Sequence, residues 1–142
     1  MVRDPFDTLL AEWNGRNTNS HTGIASIKAF SNEKKWSTYV KKQLKLWQDL
    51  YIYYIDHYPL DKLHILRYEK LKKNFGLELR HIMDFLGLKF DESVETCVTK
   101  KQTGSFKRPP PTIDFKKFFT RDQKQAIEKS RNLVYAKLGF VT

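Results

Sequence analysis

The stretch Leu63-His64-Ile65-Leu66-Arg67-Tyr68-Glu69-Lys70-Leu71 constrains the fold more than any other part of the chain. An apolar run closes on Arg67 and passes at once into charged residues, the pattern of a buried strand that ends at an edge. Helical periodicity flanks it on both sides. A strand between helices predicts an α/β architecture with a parallel sheet, in which ligands sit beyond the carboxyl ends of the strands. Arg67, Tyr68 and Glu69 stand at that end. One strand is predicted over about 62–67, and the remnant of another at 1–3.

The opening Met1-Val2-Arg3-Asp4-Pro5 supplies that remnant. Asp4 suits a helix N-cap and Pro5 the first helical position, where a missing N–H costs nothing. Phe6, Leu9, Leu10 and Trp13 then recur at helical spacing. Residues 14–33 are rich in Asn, Ser, Thr and Gly and read as a surface loop with one helical turn near Ile24 to Phe30.

A long helix is predicted from Glu33 to His57. Its apolar stripe comprises Trp36, Val40, Leu44, Trp47, Leu50, Tyr51, Tyr54 and Ile55. A second helix carries Leu77, Leu79, Ile82, Met83, Phe85 and Leu86 and stops at Gly87. Asp91 caps a short helix with Val94, Cys97 and Val98 on its inner side. Residues 99–112 form a basic loop in which Lys100, Lys101, Lys107 and Arg108 bracket Gly104. Thr120 and Gln123 spell a capping box for the last helix. Its face reads Ala126, Ile127, Leu133, Val134 and Leu138, ending at Gly139.

Charge decides which partners to consider. With 26 Lys and Arg against 16 Asp and Glu, the net charge of +10 points to an anionic partner, but charge alone fits a solvated basic surface better, so the position of the basic residues has to decide. No run of about 18 apolar residues exists, so nothing spans a bilayer as a helix. The single cysteine, Cys97, excludes an internal disulfide framework and a zinc site built on several cysteines. His21 has no companions at metal-ligand spacing, and no metal site is expected.

Three segments in order resemble the C-terminal half of the sulfotransferase fold, a P-loop-NTPase-like α/β fold. Val2-Arg3-Asp4-Pro5 is similar to the family's "R-(D/N)-P" strand end, and Leu66-Arg67-Tyr68-Glu69-Lys70-Leu71 to its "RYEDL" segment. Lys100-Lys101-Gln102-Thr103-Gly104-Ser105-Phe106-Lys107 is similar to its late phosphate-binding loop. Within the family the chain most resembles the sulfotransferase domain of WSC-domain proteins, of the sialate O-sulfotransferase kind, where a cysteine likewise precedes a "GxFKR" loop.

The resemblance implies the donor PAPS and a glycan acceptor. It also implies the Golgi as location, with any membrane anchor lying upstream. It assigns Arg3, Lys100, Lys101 and Gly104 to the donor's 3′-phosphate and Tyr68 to its adenine. Two departures qualify it. Ala11 stands where the family places a phosphate-binding serine, eight residues after the arginine. Nothing matches the N-terminal half, with its 5′-phosphosulfate loop and the general base. Residues 1–142 therefore read as a partial sulfotransferase domain without catalytic residues of its own, inactive alone.

Other readings stay open. Arg3 can instead pair with Asp4 or Asp7, Tyr68 can be a packed aromatic, and Glu69 reads as structural. A small helical nucleic-acid-binding module would use the aromatic-and-lysine helix and the basic loop. A non-enzymatic relative that only binds a partner is the third.

Overall fold

The computed structural model describes residues 1–20, 22–101 and 114–140, and of residues 95 and 98–101 only the backbone. Six helices follow in order: α1 (Pro5–Thr18), α2 (Glu33–His57), α3 (Tyr68–Lys73), α4 (Phe75–Phe85), α5 (Glu92–Lys101) and α6 (Arg121–Lys137). Short 3₁₀ turns at Ile27–Phe30, Leu60–Lys62 and Phe115–Phe118 connect them.

Neither predicted strand forms as a strand. Among the described residues, extended pairing is reduced to one parallel bridge between Val2 and Arg67. The Val2 N–H donates to the Leu66 carbonyl at 2.7 Å, and the Tyr68 N–H to the Val2 carbonyl at 2.8 Å. Two local preferences limit the pairing. Leu60–Lys62 is used by a 3₁₀ turn after Pro59, and on the other side Asp4 caps α1 after three residues. The pairing is parallel, as expected, but the ladder stops at one rung.

Local signals set the helix ends. The Asp4 carboxylate accepts the Phe6 N–H at 2.9 Å, with Pro5 opening α1. Asn32 accepts the Lys35 N–H at 2.9 Å at the start of α2, and Asp91 the Ser93 N–H at 2.8 Å at the start of α5. Thr120 and Gln123 complete the capping box of α6 at 3.2 and 2.9 Å. Gly87 and Gly139 follow α4 and α6 with φ of +66° and +70°, a left-handed turn that a Cβ would oppose.

Packing gathers into two apolar clusters. In the larger, Phe6, Leu9 and Trp13 of α1 meet Trp36, Tyr39, Val40 and Leu44 of α2, with Phe30, Phe115, Phe119 and Ile127. The smaller joins Val2, Trp47, Val134 and Tyr135, flanked by Tyr51, Ile65, Leu138 and Phe140. Fully burying side chains such as Leu9 and Ile127 contributes about 1.5–3 kcal/mol each. The smaller cluster is the floor on which the Val2–Arg67 bridge rests.

Some predicted inner positions lie outside. Trp36, Val40, Leu44 and Trp47 are buried, whereas Leu50 and Tyr54 are exposed, because the packed line at this end of α2 passes through Trp47, Tyr51 and Ile52 instead. Leu77, Phe85 and Leu86 of the α4 region, Val94 and Cys97 of α5, and Leu133 of α6 are exposed as well. In α6 the buried line runs through Ile127 and Val134, one heptad apart, and takes in Tyr135. Leu133 sits one residue, about 100° of helix, off that line.

Candidate functional site

The bridge fixes which side chains share a face. Val2 and Arg67 are the paired residues, and successive side chains alternate across extended backbone. Val2 and Arg67 point toward α6, and Arg3 and Tyr68 point the other way. The contacts agree. Val2 is buried with Val134 and Tyr135, and the Arg67 guanidinium lies 5.0 Å from the Tyr135 ring and 5.1 Å from the Phe140 ring. On the opposite face the Arg3 guanidinium lies over the Tyr68 ring at 4.8 Å.

Backbone and side-chain ties hold this edge. The Asp4 N–H donates to Glu69 Oε1 at 2.8 Å, so Glu69 acts structurally. Trp47 Nε1–H donates to the Arg3 carbonyl at 3.2 Å, and the Tyr51 hydroxyl to the Met1 carbonyl at 3.1 Å. Asp4 also faces Arg131 of α6 at 3.4 Å. The Asp4 backbone thus reaches the 67–69 turn, and its side chain reaches α6.

Among the described residues, electrostatics leave Arg3 uncommitted. Asp4 pairs with Arg131, and Asp7 with Lys116 at 3.9 Å, so neither takes the arginine. Arg3 Nε is buried and has no hydrogen-bond partner. A buried, unsatisfied guanidinium N–H is costly unless a ligand completes it, so this atom fits an anion-binding role. The end of α1 adds less than its dipole alone would give. Pro5 has no N–H, the Phe6 N–H is taken by Asp4, and Asp7 sits in the first turn.

Behind the bridge, Arg67 Nε and Glu69 Oε2 are also buried without hydrogen bonds, 4.0 Å apart. That spacing allows attraction but not a hydrogen bond. Burial raises the Tyr135 phenol above its ordinary pKa, and the Glu69 and Asp4 carboxylates add to the shift against Arg67 and Arg131. Lys72 brings a further cation, its ammonium 5.9 Å from the Tyr68 ring.

Of the residues expected at the site, Arg3 and Tyr68 come together. Lys100 and Lys101 close α5, but their side chains, and the whole of Gly104, lie outside the described residues. Trp47, Arg131 and Tyr135 also contribute, without a signal in the sequence. Their contacts bridge from 44 to 127 positions, and no local pattern marks them. A cleft of about 400 Å³ between α1 and α2 is lined by Trp13, Arg16, Lys35, Tyr39 and Lys42, with none of the site residues. No group of three or more His, Cys, Asp or Glu is arranged to hold a metal among the described residues. No helix among them is long and apolar enough to cross a membrane.

Comparison with known proteins bears on the same residues. The family described as "Sulfotransferase domain" matches residues 1–132. The WSCD family member CG9164 of Drosophila melanogaster is 28% identical over 141 residues, which cover 98% of this chain and 44% of that protein. The WSCD family member GA21586 of Drosophila pseudoobscura pseudoobscura is 27% identical over 141 residues, with the same coverage. The chain therefore spans 44% of the length of these curated relatives. No solved structure matches.

Proposed function

The chain belongs to the sulfotransferase family, and from that premise we propose that it forms the C-terminal portion of a PAPS-dependent carbohydrate sulfotransferase. Its part is the 3′-phosphate and adenine side of the donor site. The observation that carries this reading is the Arg3 guanidinium, which among the described residues has no carboxylate partner and is buried at Nε without a hydrogen bond. It projects from the end of the segment that pairs with the 66–68 turn.

The donor supplies the sulfonyl group, and these residues bind rather than react. Arg3 takes two oxygens of a phosphate in its planar fork, a geometry that a lysine cannot match. By likeness to the family's late phosphate-binding loop, Lys100, Lys101 and Gly104 are proposed to belong to the same phosphate site. Tyr68 lies at the nucleotide edge. Cations and backbone donors that hold the leaving nucleotide lower the barrier to in-line attack by an acceptor hydroxyl, as in phosphoryl transfer.

We place the 5′-phosphosulfate loop and the base for the acceptor outside these 142 residues, so that this polypeptide alone does not transfer sulfonate. The Golgi is the proposed location, by likeness to the WSC-domain relatives. The nucleic-acid alternative loses support because Trp36 and Trp47 of its stacking stripe are buried. Titration with 3′,5′-ADP tests the proposal. Weak saturable binding that falls with Lys101→Ala supports it. Absence of binding, both here and in a version extended at the N-terminus, overturns it.

A further inference from the structure

Resting on the donor-site reading, we infer that Tyr68 is a positioning residue whose ring aims the Arg3 guanidinium at the ligand phosphate. The Arg3 main chain is held on both sides. Its carbonyl accepts from Trp47 Nε1, and the next N–H, that of Asp4, donates to Glu69. Nothing comparable holds its side chain. Among the described residues no carboxylate pairs with it and Nε has no hydrogen bond, so the Tyr68 ring at 4.8 Å is what sets its direction there.

A guanidinium within about 6 Å of a ring centroid is attracted to the aromatic face and loses rotamer freedom there. That freedom is then lost before the anion arrives, and the bound state gains accordingly. The face covered by Arg3 is not open to a nucleobase, so on that side Tyr68 serves the phosphate rather than the adenine. Lys72, 5.9 Å from the same ring, adds a second positive charge and suits a ligand phosphate bearing more than one negative charge.

Paired nucleotides separate the two roles. The affinity ratio of 3′,5′-ADP to 5′-AMP isolates the 3′-phosphate, and 5′-AMP alone reports the base and sugar. Tyr68→Phe should keep the wild-type ratio, because the aromatic face remains. Tyr68→Leu should lower the ratio by about five- to thirtyfold while 5′-AMP affinity changes little. In an Arg3→Met background, Tyr68→Leu should lower the ratio no further. Loss of affinity for both nucleotides alike, with the ratio intact, overturns the inference and leaves the donor site standing. A wild-type chain that binds both nucleotides equally overturns the donor-site reading, and this role with it. Should Tyr68→Leu fail to fold, the wild-type chain still decides. The Arg3 Nε–H proton resonance should be displaced upfield by the Tyr68 ring current, and a random-coil position refutes the contact.

Discussion

The Asp4 amide donates to the Glu69 carboxylate at 2.8 Å across 65 residues of sequence. This bond and the single bridge beside it fasten the start of the chain to the 67–69 turn, and they bring Arg3 and Tyr68 onto one face. Glu69→Ala leaves a part-buried N–H without its acceptor. The expected loss of stability is about 1–3 kcal/mol in urea unfolding, and Glu69→Gln, which keeps the acceptor, should recover most of it. Equal stability of the Ala variant and the wild type would show that the link carries no energy.

The two halves of α1 and its loop give glycines of opposite sign. Gly15 lies inside the helix, and a Cβ there meets only the Ser20 carbonyl oxygen at 3.8 Å. Gly15→Ala should therefore stabilise by about 0.5–1 kcal/mol through helix propensity and chain entropy. At Gly23 a Cβ would collide with the Thr18 side chain, whose hydroxyl donates to the Asn14 carbonyl at 2.8 Å. Gly23→Ala should destabilise by about 1–3 kcal/mol. A thermal melt of the two variants with the same sign of shift would contradict this packing.

Much of this architecture is legible in sequence because its causes are local. The bounds of α2, the Asp4 cap and the Thr120–Gln123 box are read directly, since each rests on residues within one turn. The strand over 62–67 is read as longer than it is. Hydrophobic pattern reports which residues suit a strand, but a ladder needs a neighbour, and Asp4 turns that neighbour into a helix. The inner placement of Leu50, Cys97 and Leu133 fails for a related reason. Periodicity marks an apolar face without saying what covers it. At the site, the likeness points to Arg3 and Tyr68, whereas Arg131 and Trp47 enter only through the fold.

Alkaline pH should weaken the fold through its tyrosines. Burial, with the Glu12 carboxylate beside it, pushes the Tyr39 phenol well above its ordinary value, and burial also raises Tyr51 and Tyr135. A phenol held neutral in the fold but free to ionise when unfolded stabilises fully below the unfolded pKa of about 10. That contribution is lost as pH rises from there toward the folded value, because the unfolded chain then binds fewer protons. The urea midpoint should fall between about pH 9 and 11. In Tyr39→Phe the fall should be shallower, and a midpoint independent of pH in the wild type would contradict the burial.

Thr120 supplies the cap of the helix that carries Arg131, Val134 and Tyr135 to the site. Its hydroxyl accepts the Gln123 N–H at 3.2 Å while Gln123 returns the favour to the Thr120 N–H at 2.9 Å. Thr120→Ala should cost about 1 kcal/mol, and Thr120→Ser or Thr120→Asp far less. Identical denaturant midpoints for the Ala and Ser variants would refute the cap.

The central claim is that Arg3 marks a phosphate site for a nucleotide donor. Calorimetric titration of the chain with 3′,5′-ADP, alongside a single-stranded oligonucleotide over a range of salt, tests it most directly. One saturable site for 3′,5′-ADP, lost in Arg3→Met, is expected, with no comparable affinity for the oligonucleotide. Oligonucleotide binding with a steep salt dependence, and none for 3′,5′-ADP, would contradict it and return the basic surface to the nucleic-acid reading.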